Sequence, residues 1–158
     1  MRTIKTFDLF SNCMLDNDFS YDIFFRMAVI EEYIKNNDEI WELYNKMQSI
    51  RASQIRQVPR YMIDHKDEFI KLINNFRQNG YDFEKPILIN KNYLIIDGAH
   101  RMACALFFDV PEVAITFDEN YYDFMPKEYS KKWFLDNNLQ QCIEYAEKQR
   151  NKIYERWE

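Results

Sequence analysis

The run Tyr93-Leu94-Ile95-Ile96-Asp97-Gly98-Ala99-His100-Arg101 brings a carboxylate, a glycine, an imidazole and a guanidinium into one short junction. The chain has only two glycines and two histidines, and one of each stands here, separated by Ala99. The residues before Asp97 have strand character, and "AHRMACALFF" has helix character. A helix beginning at this point presents unpaired first-turn N–H groups and the positive end of its dipole, which together attract an anion. Gly98 can adopt a left-handed torsion and let the backbone approach a ligand closely. A cation in the first turn is unfavourable for the helix itself. Arg101 therefore makes better sense with a phosphate between it and the N–H groups, its planar fork taking two oxygens. Asp97 can hold Mg²⁺, take a proton from an attacking hydroxyl, or cap the helix, and capping is the commonest use of such a residue. His100 can donate to a phosphate, carry a proton, or serve as a hydrogen-bonded structural histidine.

Two other stretches could contribute. "SIRASQIRQVP" reads as a basic, partly extended connector, with Arg51, Arg56 and, just after it, Arg60. These arginines are either solvated or turned toward an anion, and Arg56 and Arg60 could reach the same phosphates. In "FDENYYDFMP", Asp118, Glu119 and Asp123 are oxygen donors suited to Mg²⁺ beside a nucleotide. Tyr121 and Tyr122 could stack on a base or a sugar ring, although a charged loop is more often simply solvated. The second histidine, His65, is expected at the exposed start of a helix.

These residues need elements to hold them. "SYDIFFRMAVIEEYIKNND" predicts a largely buried helix with Ser20 at its N-cap, and "DEIWELYNKMQ" predicts its partner in a helical hairpin. Neither looks catalytic, and Glu31 and Glu32 read as solvated or helix-pairing charges. Asp64 is placed to cap a third helix with Phe69, Leu72, Ile73 and Phe76 on its buried stripe and Gly80 at its end. "KPILIN" and "KNYLIIDG" predict a hairpin around Asn90-Lys91-Asn92. A helix from Ala99, a strand in "DVPEVAITF", a short helix capped by Ser130 and an amphipathic tail from Leu139 to Trp157 complete the chain. The fold class is α+β, a small mixed sheet with helices packed around it. One domain is expected, with residues 1–49 a helical extension, 50–118 the core, and 119–158 a loop and helices.

At 158 residues the chain is long enough for one real core. No apolar run approaches the roughly 20 residues of a membrane span. The N-terminus lacks the apolar stretch and cleavage site of a secretory signal. Cys13, Cys104 and Cys142 form no C-x-x-C pair, which suggests reduced thiols in the cytoplasm. A net charge of −5 argues against a nucleic-acid-coating role and against a nuclease.

The order of a helix ending in Gly80, the PILI strand, YLIIDGAHR, a helix and the VPEVAI strand resembles the ParB/sulfiredoxin-like superfamily, over about residues 50–117. Sulfiredoxins carry a reactive cysteine where this chain has Ala99, while Cys104 falls on the expected buried face, so that chemistry fails. ParB partition proteins carry Gly-Glu-Arg-Arg and a further DNA-binding domain, which do not fit either. "DGAHR" is similar to the Asp-Gly-x-His-Arg of small kinases such as the free serine kinases. The flanks resemble small bacterial proteins of surface-polysaccharide biosynthesis. The resemblance implies a kinase using ATP or ADP with Mg²⁺ and a small hydroxyl-bearing acceptor. Asp97 and His100 would be catalytic, with Gly98, Ala99, His100, Arg101, Arg56 and Arg60 on the phosphates. Asp97, Asp118 and Glu119 are weaker metal candidates. Those kinases also place a catalytic carboxylate before the third helix, where "RQVPRYMID" has no Glu. A nucleotide-binding interaction module without turnover is the alternative.

Overall fold

Apolar patterning builds eleven elements in the described part of the chain. They are β1 (Arg2–Lys5), α1 (Thr6–Cys13), α2 (Tyr21–Ile34), α3 (Ile40–Ile55), α4 (His65–Asn79), β2 (Ile87–Ile89), β3 (Ile95–Asp97), α5 (Ala99–Phe107), β4 (Glu112–Phe117), α6 (Lys131–Asp136) and α7 (Gln140–Trp157). The computed structural model describes residues 2–13, 20–55, 65–91, 93–118 and 130–157. The class is α+β, as the sequence predicts, with a mixed sheet in the order β1-β4-β2-β3.

The sheet is tied together by β4, whose Val113, Ala114 and Ile115 are buried. It runs antiparallel to β1, with Arg2 opposite Ile115, and parallel to β2, with Ile87 opposite Ile115. A parallel pair needs a crossover, and here β3 and α5 supply the intervening chain. Strand β1 lies within the first dozen residues, an ambiguous stretch in which the sequence allows a short strand, and these residues are part of the sheet. The β2–β3 hairpin is held by Asn90, which is fully buried. Its N–H donates to the Leu94 carbonyl at 3.0 Å, and its Oδ1 accepts from Leu94 N at 3.0 Å.

Helix α2 runs through the core. Every residue from Tyr21 to Ile30 is buried, and the helix packs chiefly on α7 and α5. On α5 the residues Met102 to Leu106 are buried, and three of them, Ala103, Cys104 and Ala105, are small. Small contact residues shorten the distance at which two helices can pack. Glu31 joins α2 to α7 by accepting from Lys152 Nζ at 2.6 Å and Gln149 Nε2 at 2.7 Å. Phe10 packs edge-on against Phe24, Tyr154 and Trp157, which anchors α1 in the same core.

Three local expectations need correction. The basic connector is helical as far as Ile55, because α3 continues past Gln48 and Arg51 Nη1 bonds back to Gln48 Oε1 at 2.8 Å. Ser20 stands at the N-cap of α2 but makes no side-chain cap bond, whereas Ser130 does cap α6, accepting from Trp133 N at 3.2 Å. Leu72 is only half-buried, while Phe69, Ile73 and Phe76 form the α4 stripe. Gly80 ends α4 as expected, at φ +73°, with its N–H on the Phe76 carbonyl at 3.0 Å. Asp64 lies outside the described residues.

Candidate functional site

The strand-to-helix turn forms as the sequence predicts. Gly98 is the N-cap residue of α5, in the left-handed region at φ +106° and ψ 21°. No side chain caps this end, so Asp97 does not have the commonest role for an Asp before a helix. It is exposed at the last position of β3, opposite Leu88 in the ladder. Arg101 folds back over the turn, and its Nη2 donates to the Pro86 carbonyl at 2.9 Å. A Cβ on Gly98 would meet that same Nη2 at 3.1 Å and Ile87 Cγ1 at 3.3 Å. The glycine is thus required twice, by the torsion and by the passage of the guanidinium. Arg101 Nε is buried without a hydrogen-bond partner. Such an atom is costly unless something outside the protein pairs with it.

His100, two residues into α5, turns the other way, toward α2 and α3. Arg26 Nε–H donates to its Nε2 at 3.2 Å, and the Tyr44 hydroxyl lies 2.8 Å from the same nitrogen. Arg26 is fully buried and is held in place by Asp22 Oδ2 at 2.6 Å and Gln48 Oε1 at 3.1 Å. Arg51 bonds the same Gln48 oxygen at 2.8 Å. Asp22–Arg26 is an i,i+4 pair and Tyr44–Gln48 another, so two helices each contribute one turn of polar residues to a single network. The Phe69 ring meets the imidazole edge-on, with centroids 4.7 Å apart.

The electrostatics follow from this packing. Burial, then the charges of Arg26, Arg51, His65 and Arg101, hold His100 well below the ordinary histidine value. Its ring is therefore neutral. Burial also works against the charge on Arg26, as does Arg51, while Asp22 opposes both.

His100 lines an open cleft of about 620 Å³. The walls come from α4, through His65, Glu68, Lys71 and Leu72, and from Asp82 and Lys85 before β2. His65 is half-buried here, so the expectation of an exposed histidine is corrected. Lys71 and Glu68 pair loosely at 3.5 Å on the rim.

Of the residues singled out from sequence, Gly98, Ala99, His100 and Arg101 form the turn, and Asp97 precedes it without lining the cleft. Asp118 is half-buried just after β4, its N–H on the Ile89 carbonyl at 2.9 Å. Arg56, Arg60, Glu119, Tyr121, Tyr122 and Asp123 lie outside the described residues. Cys104 is fully buried, as the helix face predicted, and burial pushes its thiol up. Sequence reasoning missed Asp22, Arg26, Tyr44 and Gln48. The available signal was a charged i,i+4 pair inside the otherwise apolar run Tyr21–Ile30.

Among the described residues no three His, Cys, Asp or Glu side chains gather into a metal site. A Mg²⁺ carried by nucleotide phosphates asks less, one or two carboxylates beside the phosphate oxygens. Asp97 fits that demand, and the orphaned Nε of Arg101 fits a phosphate. No protein-family model matches the chain, and no curated protein or solved structure matches it either.

Proposed function

We propose that this chain is a nucleotide-dependent phosphotransferase that moves a phosphoryl group from ATP or ADP to a hydroxyl of a small molecule. A sugar or amino acid used in surface-polysaccharide biosynthesis is the acceptor class that the sequence resemblance favours. The observation that carries the reading is the charge around α5. In a chain of net charge −5, three arginines converge on the first turn of one helix: Arg26 bonds His100 at 3.2 Å, Arg51 shares the Gln48 oxygen with Arg26, and Arg101 folds back over the Gly98 turn to the Pro86 carbonyl. Phosphoryl transfer needs donor and acceptor in line and the developing charge neutralised, with little covalent participation by the protein. In this reading Arg101 and the first-turn amides hold the terminal phosphates, and Asp97 orients or deprotonates the acceptor hydroxyl. Mg²⁺ bound with the nucleotide would supply further charge neutralisation.

Thermal denaturation with Mg²⁺ and ATP, ADP, CTP or GTP, beside Arg101→Ala, tests the binding half. A nucleotide at 100 times its dissociation constant adds about 2.7 kcal/mol, which the variant should lose. Labelled-phosphate transfer to serine and to sugars tests the other half. No stabilisation by any nucleotide refutes the reading. One feature favours the alternative, a nucleotide-binding interaction module: Asp97 stands outside the cleft lining. Asp97→Asn separates the two, because a kinase loses turnover and keeps nucleotide affinity, whereas a module has no turnover to lose.

A further inference from the structure

We infer that His100 acts as an uncharged hydrogen-bond donor, through Nδ1–H, to an oxyanion held in the cleft, and that Arg26 is the positioning residue that fixes the ring in this state. The argument begins at Nε2. A neutral imidazole has one nitrogen that donates and one that accepts. Arg26 Nε has only a proton to offer and can never accept, so the nitrogen it faces at 3.2 Å must be the acceptor. Tyr44 Oη, at 2.8 Å, supports the same nitrogen as a second donor. The proton is thereby placed on Nδ1.

Arg26 cannot easily move to relieve this. Its other nitrogens are anchored by Asp22 and Gln48, and the side chain is fully buried in α2. Phe69 fixes the tilt of the ring from the α4 side. Nδ1–H then has no hydrogen-bond partner among the described residues, although the ring lines the cleft. A donor that the protein leaves unpaired beside an open cleft is met by water or by an acceptor on a ligand. The guanidiniums of Arg26, Arg51 and Arg101 face the ring, the first of them paired with Asp22, and the cleft wall carries Lys71 and Lys85 beside Glu68 and Asp82. The three guanidiniums next to the ring disfavour an imidazolium and favour an anionic oxygen as the acceptor. Taking the ligand to be an oxyanion rests on the phosphotransferase reading; the tautomer and the role of Arg26 do not.

Imidazole ¹⁵N spectroscopy of the full chain at neutral pH tests both parts, with the two histidines told apart by His65→Gln. The expected spectrum shows His100 neutral and protonated at Nδ1. Inorganic phosphate or pyrophosphate, used as probes, should move the Nδ1 resonance and leave Nε2 nearly in place. Arg26→Met should lose the Nδ1–H preference, and Tyr44→Phe, which leaves the arginine in position, should keep it. An Nε2–H ring or an imidazolium in the unmodified protein overturns the inference without recourse to any variant. A correct tautomer that neither probe disturbs overturns the oxyanion role. Failure of Mg²⁺-ATP to bind, with phosphate still moving Nδ1, would instead sink the nucleotide reading alone.

Discussion

Arg26 Nε and His100 Nε2 meet at 3.2 Å, joining α2, buried at every residue from Tyr21 to Ile30, to the first turn of the helix that follows Gly98. The same guanidinium binds Asp22 at 2.6 Å, with both side chains almost wholly removed from solvent. Removing one member of such a pair strands the other charge, which typically costs about 3–5 kcal/mol. Arg26→Met should therefore unfold at markedly lower urea concentration than the parent protein. Adding Asp22→Leu should recover most of the loss, because an apolar pair of similar volume has no stranded charge. A single variant within about 1 kcal/mol of the parent would contradict burial of the pair.

The neutral state of His100 has a consequence for acid stability. Its folded value lies well below the ordinary one near 6.5, so between the two the unfolded chain binds a proton that the folded chain refuses. Stability is then unaffected by this group above about pH 6.5 and falls as pH drops below it, until the folded value is reached. The loss is at most about 1.4 kcal/mol per pH unit. In His100→Gln the amide oxygen can still accept from Arg26, and this part of the acid slope should disappear. Urea titrations from pH 7.5 to 5 on both proteins would show it as a difference in slope, and parallel curves would refute it.

Two glycines with positive φ offer an internal comparison. At Gly80 a Cβ meets nothing within 4 Å, so Gly80→Ala carries only the backbone strain, of order 1–2 kcal/mol. At Gly98 the strain is joined by contact with Arg101 and Ile87. Gly98→Ala should be the more destabilising, and Arg101→Ala should relieve part of it, a non-additivity readable in a double-mutant cycle.

Burial makes Cys104 and Cys142 poor nucleophiles, the second with its thiol pushed up to about 12. Only the thiolate reacts, so iodoacetamide at pH 8 should leave both unmodified in the folded protein and label both in denaturant. Peptide mass spectrometry distinguishes the sites. Rapid labelling of Cys104 in the native state would reopen the reductase chemistry set aside above.

What the sequence made legible was local. The Gly98 turn, the α4 stripe, the Asn90 hairpin and the Ser130 cap each depend on residues within a few positions of one another, and each formed. The partners of His100 depend on contacts 74 and 56 residues away in sequence, which periodicity does not encode. Arg26 does not stand out in the sequence because Ile23, Phe24, Met27, Ala28, Ile30 and Ile34 give the stretch the pattern of a largely buried helix. The end of α3 was misread because "SIRASQ" has the composition of a connector. Its helicity comes instead from continuity with the turn before it and from the Arg51–Gln48 bond. Asp97 was weighed as a cap for want of any way to see that Gly98 takes that position.

Because the arginine beside His100 belongs to the central helix, this protein has no border between scaffold and site. Random mutagenesis of α2 should yield few variants that stay abundant while losing ligand, since the same substitutions would act on both. Altered specificity would be sought more profitably in Lys71, Asp82 and Lys85, which face the cleft and lie outside the buried core. In the proposed reading, ligand recognition can drift along that wall while the imidazole stays tied to α2.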